Sequence, residues 1–234
     1  YFLHTGHNRM QKTLPLAQTQ AQFSFQQWTS THPECETLLS QLCQQSLTQI
    51  VYLWGAPGCG KTHLLHATKN NAKTGCLLPC THTSALDPKY LQELSQHTLI
   101  CLDDIESILT QPTWAQALFA LCNQINALPN ARLVLSAKTP PQHLPCERAD
   151  IVSRLHAASI FHIPTLTEEQ LILALQQRAK SKGLNISRRI LTFLLHHTER
   201  NPHTLFEYLY RLDQASLQHK HPLTLPFVKK ILSL

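Results

Sequence analysis

The chain lacks the marks of a membrane protein, a secreted protein and a repeat protein. Its longest apolar stretches, such as 50–54 and 99–102, fall far short of the roughly 18 to 20 residues that a membrane-spanning helix needs. The amino terminus has no apolar run followed by a cleavage site, and no repeat of solenoid length is visible. Charged residues make up only 15% of the 234 residues, which excludes a long disordered or acidic tail. We therefore expect a folded cytoplasmic protein without a membrane span.

Methionine and metal-binding spacings are also scarce. The only methionine is Met10, so we interpret residues 1–9 as a non-native extension. The eight cysteines are scattered through apolar segments, which favours reduced thiols over disulfides. One short Cys-x3-Cys-x-His segment at 76–82 has no second half-site, and the histidines form no HExxH spacing. Zinc sites and metallohydrolase chemistry are therefore disfavoured.

Basic residues exceed acidic ones by 20 to 14, which gives a formal net charge of +6. The excess is spread along the chain, so it permits contact with nucleic acid without requiring it. We interpret a group of lysines in the last third of the chain as a solvated surface rather than a DNA-binding one. These are Lys180, Lys182, Lys220, Lys229 and Lys230.

Short apolar runs alternate with helical patterns through the first two thirds of the chain. The runs are 50–54, 77–80, 98–102, 132–136 and 160–163. Strands that alternate with helices predict an α/β domain at 23–163, in which helices flank a parallel five-stranded sheet.

Beyond Pro164 the pattern becomes helical throughout. Thr167 and Gln170 stand at the spacing of a capping box, and Gly183 is placed to end the helix that follows. We therefore predict that 164–234 form a separate all-helical lid domain. Residues 10–22 contain Leu14-Pro15-Leu16 and no helical periodicity, which predicts a short extended leader.

Residues 55–62 read GAPGCGKT and satisfy the phosphate-loop pattern G-x-x-x-x-G-K-[ST] in full. The motif follows an apolar run and precedes a helical pattern, as phosphate loops do. Its glycines let backbone N–H groups face the β-phosphate, Lys61 supplies a cation, and the Thr62 hydroxyl can ligate Mg²⁺. The predicted nucleotide contacts here are Gly55, Pro57, Gly58, Cys59, Gly60, Lys61, Thr62 and His63.

Two further apolar runs end in polar side chains. The run 99–102 is followed by Asp103 and Asp104, which predicts a buried strand with acids at its carboxyl end. Asp103 would join Thr62 in holding Mg²⁺, and Asp104 is the weaker candidate for the base that orients water. Ser136 ends the run 132–136 and is either a polar contact of the γ-phosphate or an ordinary strand-ending serine.

Several motifs occur in the order seen in AAA+ ATPases of the DnaA branch. They are 55–62, 99–104, Pro140-Pro141 and Ser153-Arg154-Leu155. From about residue 23 to 234 the chain resembles the Hda-like regulators of replication initiation within that branch. The resemblance implies an AAA+ fold and bound ADP or ATP with Mg²⁺, with ADP supporting activity.

The resemblance also assigns roles to residues that composition alone leaves undecided. It implies that Arg154 acts in trans, as an arginine finger on ATP held by DnaA, whereas a surface arginine is ordinarily a solvated charge. His203 stands where this superfamily carries a nucleotide-contacting lid arginine, and Lys138-Thr139 stands where relatives tend to carry Asp-Arg. A homo-oligomer is compatible with the head-to-tail contacts of AAA+ domains.

Residues 11–16 are similar to the Q-x-x-L-P-L peptide by which Hda-like proteins dock on the sliding clamp, the β subunit of DNA polymerase III. In that mode Gln11 makes polar contacts, Leu14 and Leu16 fill an apolar pocket, and Pro15 lowers the ordering cost. The clamp would bring the protein to the nucleoid.

Two other functions compete with a clamp-bound regulator of DnaA. The first is a helicase loader or transposition-type ATPase that works through its own hydrolysis, using the complete phosphate loop and Asp103-Asp104. The second is a scaffold that binds DnaA without stimulating hydrolysis. The initiator role is disfavoured because the sequence ends at Leu234, without the DNA-binding domain that follows the lid in DnaA.

Overall fold

A computed structural model describes residues 49–72, 74–83, 85–198, 202–219 and 222–234. Within them lies the predicted five-stranded sheet, and every pair of neighbouring strands is parallel. The strands are β1 (Ile50–Trp54), β2 (Gly75–Pro79), β3 (Leu99–Asp103), β4 (Arg132–Ala137) and β5 (Ser159–His162). Their order across the sheet is β2-β3-β4-β1-β5.

Helices connect the strands and cover both faces of the sheet. They are α1 (Lys61–Asn71), α2 (Tyr90–Glu93), α3 (Glu106–Leu109), α4 (Pro112–Ala127) and α5 (Ala149–His156). Alternate residues of β1 point to opposite faces: Tyr52 packs in a large core with α4 and α5, and Leu53 packs in a smaller core with α1. The predicted α/β class is therefore confirmed.

The strand order places β4 between the strand that precedes the phosphate loop and the strand that ends in acids. In register, Trp54 lies opposite Ala137, and Leu135 lies opposite Leu102. Because all strands run the same way, their carboxyl ends meet at one edge of the sheet, where ligands bind in open α/β folds. We call this the carboxyl edge; Gly55, Asp104 and Lys138 follow directly from it.

Four helices follow β5 among the described residues and form the predicted lid. They are α6 (Glu168–Ser181), α7 (Arg188–His197), α8 (Pro202–His219) and α9 (Leu225–Leu232). Thr167 and Gln170 close the predicted capping box, and Gly183 has the positive φ of 73° expected where a helix ends. A core of mostly leucine and isoleucine joins the four helices. No helix in the described parts of the chain has both the length and the apolarity to cross a membrane.

Candidate nucleotide-binding site

The phosphate loop has glycines at positions where a larger residue would clash or be strained. Gly55 is buried, and a Cβ atom added to it would lie 2.3 Å from the carbonyl oxygen of Ile163. Gly58 and Gly60 adopt φ angles of 79° and 102°, which favour glycine. Gly60 is also the N-cap of α1, so the loop leads straight into a helix amino terminus. This geometry fits a loop that cradles phosphate with backbone N–H groups.

Lys61 opens α1 and extends back beneath the loop. Its side chain is only 5% exposed, and its Nζ donates to the carbonyl oxygens of Gly55 at 2.7 Å and Ala56 at 3.1 Å. The Cys59 thiol lies 3.7 Å from the same Nζ, and burial raises the pKa of that thiol. The loop therefore encloses a positive charge, as binding of a polyphosphate requires.

Thr62 and Asp103 are brought together from different elements. The Thr62 hydroxyl in the first turn of α1 donates to Asp103 Oδ2 at 2.7 Å. Asp103 ends β3 and is only 6% exposed, whereas Thr62 is exposed. Hydroxyl and carboxylate oxygens are the donors that Mg²⁺ prefers, so this pair fits the predicted metal contacts.

The Ser136 hydroxyl links the two acids. It is fully buried, donates to Asp103 Oδ1, and accepts a hydrogen bond from the backbone N–H of Asp104 at 3.0 Å. The Ser136 carbonyl also accepts from Ile105 N–H at 3.0 Å. Ser136 thus holds the end of β3 in place and fixes the orientation of the Asp103 carboxylate.

Asp104 leaves the sheet in an unusual backbone conformation. Its φ is 54°, in the left-handed region that aspartate tolerates better than most residues. Burial raises the pKa of its half-buried carboxyl, and the neighbouring Asp103 raises it further. Lys138 opposes both effects and is the strongest cationic influence on this group. The predicted base candidate therefore lies at the carboxyl edge, directly after β3.

Glu106 is a site residue that sequence reasoning missed. Its carboxylate accepts a hydrogen bond from the backbone N–H of Lys138 and so ties α3 to the segment after β4. Tyr52 also contacts this segment, because its hydroxyl donates to the Thr139 carbonyl at 2.8 Å. Burial, and next the charge of Glu106, raise the pKa of that tyrosine. An acid shortly after a strand carries no sequence signal for this contact.

Arg154 is held in a defined position on α5. Its guanidinium donates to the Asn123 side-chain oxygen on α4 and lies 5.9 Å from the centre of the Phe119 ring. Arg148 approaches the same ring at 5.4 Å, but its guanidinium is paired with Asp150 at 2.6 Å. The Arg154 guanidinium is therefore held in one direction. Among the described residues it forms no ion pair with a carboxylate.

The backbone of Arg154 lies toward the opposite edge of the sheet from the phosphate loop. It stands in the last turn of α5, shortly before β5 begins at Ser159. Because β5 runs parallel to β1, its beginning lies at the amino-terminal edge, whereas Gly55 follows the carboxyl end of β1. The phosphate loop and the predicted arginine finger therefore lie toward opposite edges of the sheet.

The remaining predicted residues divide into two groups. Pro57 is exposed in the phosphate loop, and His63 is half-buried in the first turn of α1. The leader residues Gln11, Leu14, Pro15 and Leu16, and the side chain of His203, lie outside the described residues. The roles assigned to the residues of both groups stay predictions.

Comparison with known proteins identifies a relative over most of the chain. An uncharacterized protein of Haemophilus influenzae is 41% identical over 187 residues, which is 78% of this chain and 81% of the relative. Residues 168–232 match the family model described as Hda, lid domain. Residues 51–140, which contain the phosphate loop and the acids, match a model described as RNA helicase.

Solved structures of replication proteins share the fold. Domain III of the Thermotoga maritima replication initiation protein DnaA superposes with a TM-score of 0.77 and 14% identity, over 90% of this chain and 95% of that one. AMPPCP-bound DnaA from Aquifex aeolicus superposes with a TM-score of 0.66 and 18% identity, over 80% of this chain and 62% of that one. At such identities the likeness establishes the fold alone, and the predicted AAA+ fold is confirmed.

Proposed function

The chain belongs to the Hda-like family of DnaA-related AAA+ replication regulators, and we propose that it stimulates hydrolysis of the ATP bound to DnaA while attached to the sliding clamp. Hydrolysis would leave DnaA with ADP and prevent re-initiation of DNA replication. In this proposal the protein works in the cytoplasm, reaches the nucleoid through the clamp, and has weak or no ATPase activity of its own.

The observation that carries the proposal is the position of Arg154. Asn123 and Phe119 on α4 hold its guanidinium, and its backbone lies toward the opposite edge of the sheet from this chain's own phosphate loop. An arginine so oriented and so remote from its own nucleotide is suited to a nucleotide on another protein. There it would offset the charge that develops on the γ-phosphoryl group, an effect worth about 10³ to 10⁵ in rate in GTPases.

The chain's own nucleotide has a separate role in this proposal. The phosphate loop and Lys61 would hold the phosphates of ADP or ATP, and Thr62 and Asp103 would contact Mg²⁺, which neutralises phosphate charge. Because the Asp103 carboxylate is already oriented by Ser136 and Thr62, binding would need little rearrangement there. The nucleotide would serve mainly as a structural ligand.

The clamp-binding part of the proposal rests on the sequence of residues 11–16. A short peptide with two leucines and a proline suits capture in an apolar groove, where the proline reduces the entropy lost on binding. Attachment to a clamp on DNA would raise the local concentration of the protein near DnaA.

The proposal is tested by measuring hydrolysis of DnaA-bound ATP with clamp loaded on DNA. Wild type is compared with a deletion of 11–16 and with a deletion of 17–22, which removes an equal length of the same leader. We expect stimulation by wild type and by the 17–22 deletion, and loss of stimulation and of clamp affinity for the 11–16 deletion. Unchanged clamp affinity without 11–16 would refute clamp docking. Absence of stimulation by wild type, together with turnover of ATP by the chain itself, would favour a loader-type ATPase.

A further inference from the structure

The positive charge of the chain is concentrated in the lid. Residues 164–234 hold ten of the 20 lysines and arginines but only five of the 14 acids, so the lid carries +5 of the formal net charge of +6. The rest of the chain is therefore close to neutral. A surface that attracts a large polyanion by its charge would lie on the lid.

An aromatic ring on an exposed face of α7 holds a lysine of α9. The Lys229 ammonium lies 5.2 Å from the centre of the Phe193 ring, where the ring attracts a cation. The His197 ring stacks on Phe193 at 4.1 Å, and its Nδ1 donates to the Phe193 carbonyl at 2.9 Å. The exposed Lys229 side chain therefore has a preferred position beside α7.

Two further cations belong to the same surface. Arg189 is exposed and precedes Phe193 by four residues on α7, so the two share a helix face. Lys230 follows Lys229 on α9 and is exposed as well. We call Arg189, Phe193, His197, Lys229 and Lys230 the basic lid face. In the described part of the chain, neither its arginine nor its two lysines belong to an ion pair.

The carboxylates that pair with α7 lie on another side of that helix. Glu169 pairs with Arg188 at 2.8 Å, and Glu168 contacts His196 at 3.2 Å. Both contacts are made with α6, whereas Phe193 meets α9. In the described residues, these carboxylates therefore do not neutralise the basic lid face.

We propose that the basic lid face binds the phosphate backbone of duplex DNA without sequence preference. The choice of partner rests on the proposed function, which attaches the protein to a clamp on DNA and so keeps the lid near a duplex. Lysine and arginine contact phosphate oxygens and release the counterions of DNA. Phe193 is half-buried and already stacked, so it positions Lys229 and does not stack on a base.

The surroundings of Lys229 and Lys230 distinguish them from other lysines of the lid. Composition alone predicts a solvated surface for all of them. The fold brings Lys229 onto a ring of α7, with Lys230 next to it, whereas Lys180 and Lys182 stand at the carboxyl end of α6. We retain the solvated interpretation for Lys180 and Lys182, which makes them suitable controls.

Binding of the full chain to a short fluorescent duplex, without DnaA or clamp, tests the inference by anisotropy. The affinity of wild type should fall between about 50 and 200 mM salt with a logarithmic slope of about 3, or about 0.9 for each of three phosphate contacts. Replacing Arg189, Lys229 and Lys230 by glutamine should weaken binding at the lower salt at least about tenfold and remove most of that slope. A second duplex of unrelated sequence should bind equally well.

A matched triple variant removes the same charge elsewhere. Lys89→Gln, Lys180→Gln and Lys182→Gln should together leave the affinity within about twofold of wild type, because charges away from the contact are screened. All substituted side chains are exposed, so both triple variants should keep the wild-type unfolding temperature. The single change Lys230→Gln, which touches no aromatic contact of the face, should lower the slope by about 1.

Three results would overturn the inference. They are absence of DNA binding by wild type at the lower salt, equal losses for the two triple variants, and unchanged DNA binding when the basic lid face is replaced. Weaker binding to DnaA or clamp in that last case would assign the face to a protein partner. Because DNA binding is measured without either protein, failure of wild type to stimulate DnaA would refute the proposed function and leave this inference standing.

Discussion

The nucleotide-binding domain and the helical lid both have apolar cores, but among the described residues only the first has buried polar side chains. In the nucleotide-binding domain, buried polar groups connect separate strands: Ser136 on β4 bonds to Asp103 and Asp104 at the end of β3. In the lid, aliphatic side chains form the core, and the ion pairs, such as Arg188 with Glu169, lie on the surface. Exposed pairs of that kind contribute little to stability.

Because of this difference, the two domains indicate different properties of the protein. The polar motifs of the first domain reflect the chemistry of phosphate and Mg²⁺, which many unrelated nucleotide-binding proteins share. The lid has little of that chemistry, yet its residues 168–232 match the family model described as Hda, lid domain. The nucleotide-binding domain thus indicates the ligand, and the lid indicates the family.

A methyl group at Gly55 should have the largest effect of the changes considered. Gly55→Ala forces Cβ against the Ile163 carbonyl, so we expect about 3 kcal/mol of destabilisation and loss of nucleotide binding. Gly183→Ala in the lid provides the control, because a Cβ there meets nothing within 4 Å. Its positive φ should cost only about 1 kcal/mol, with nucleotide affinity unchanged. Urea unfolding and ADP titration measure both. Equal effects of the two substitutions would contradict the contrast between the domains.

Removal of the Ser136 hydroxyl should have the next largest effect. Ser136→Ala leaves an oxygen of Asp103 and the N–H of Asp104 without this partner, so we expect a loss of about 2 kcal/mol in the free energy of unfolding. Mg²⁺-dependent nucleotide affinity should fall as well, because Asp103 loses its orientation. Ser95→Ala, in the short 3-10 helix after α2, removes only an exposed hydrogen bond and should change stability by less than about 0.5 kcal/mol. A Ser136→Ala protein as stable as wild type would refute the linking role.

The capping box of α6 offers the smallest of these effects. Thr167→Ala removes the side-chain acceptor for Gln170 N–H and should cost about 1 kcal/mol, with nucleotide affinity unchanged. Thr224 is the matched control, since it occupies the N-cap of α9 without a side-chain capping bond. Thermal unfolding of both variants measures the difference. If Thr224→Ala were as costly as Thr167→Ala, the capping bond would not be the cause.

The strands could be predicted from the sequence where burial is complete. The run 50–54 coincides with β1, all of whose residues but Trp54 are buried. The run 77–80 overlaps β2, which spans Gly75–Pro79 at the edge of the sheet and is only half-buried. An edge strand needs fewer apolar residues, so its limits are less visible in the sequence.

The candidate site was predictable where both partners of a contact lie in recognisable motifs. Residues 55–62 are such a motif, and the structure brings Thr62 to Asp103 as the paired motifs implied. Contacts between distant segments, such as Asn123 with Arg154 and Glu106 with Lys138, leave no pattern in a single sequence. They depend on how α3, α4 and α5 pack, which only the folded chain provides.

Single-turnover hydrolysis of DnaA-bound ATP, with clamp on DNA, tests the central claim most directly. Wild type is compared with Arg154→Ala and with Arg148→Ala, which removes the other arginine on the Phe119 ring. We predict that Arg154→Ala loses on the order of 10³-fold in stimulated rate while its binding to DnaA, clamp and nucleotide is retained, and that Arg148→Ala stays active. An unchanged rate with Arg154→Ala, or a loss that only follows weaker DnaA binding, would contradict an arginine supplied in trans.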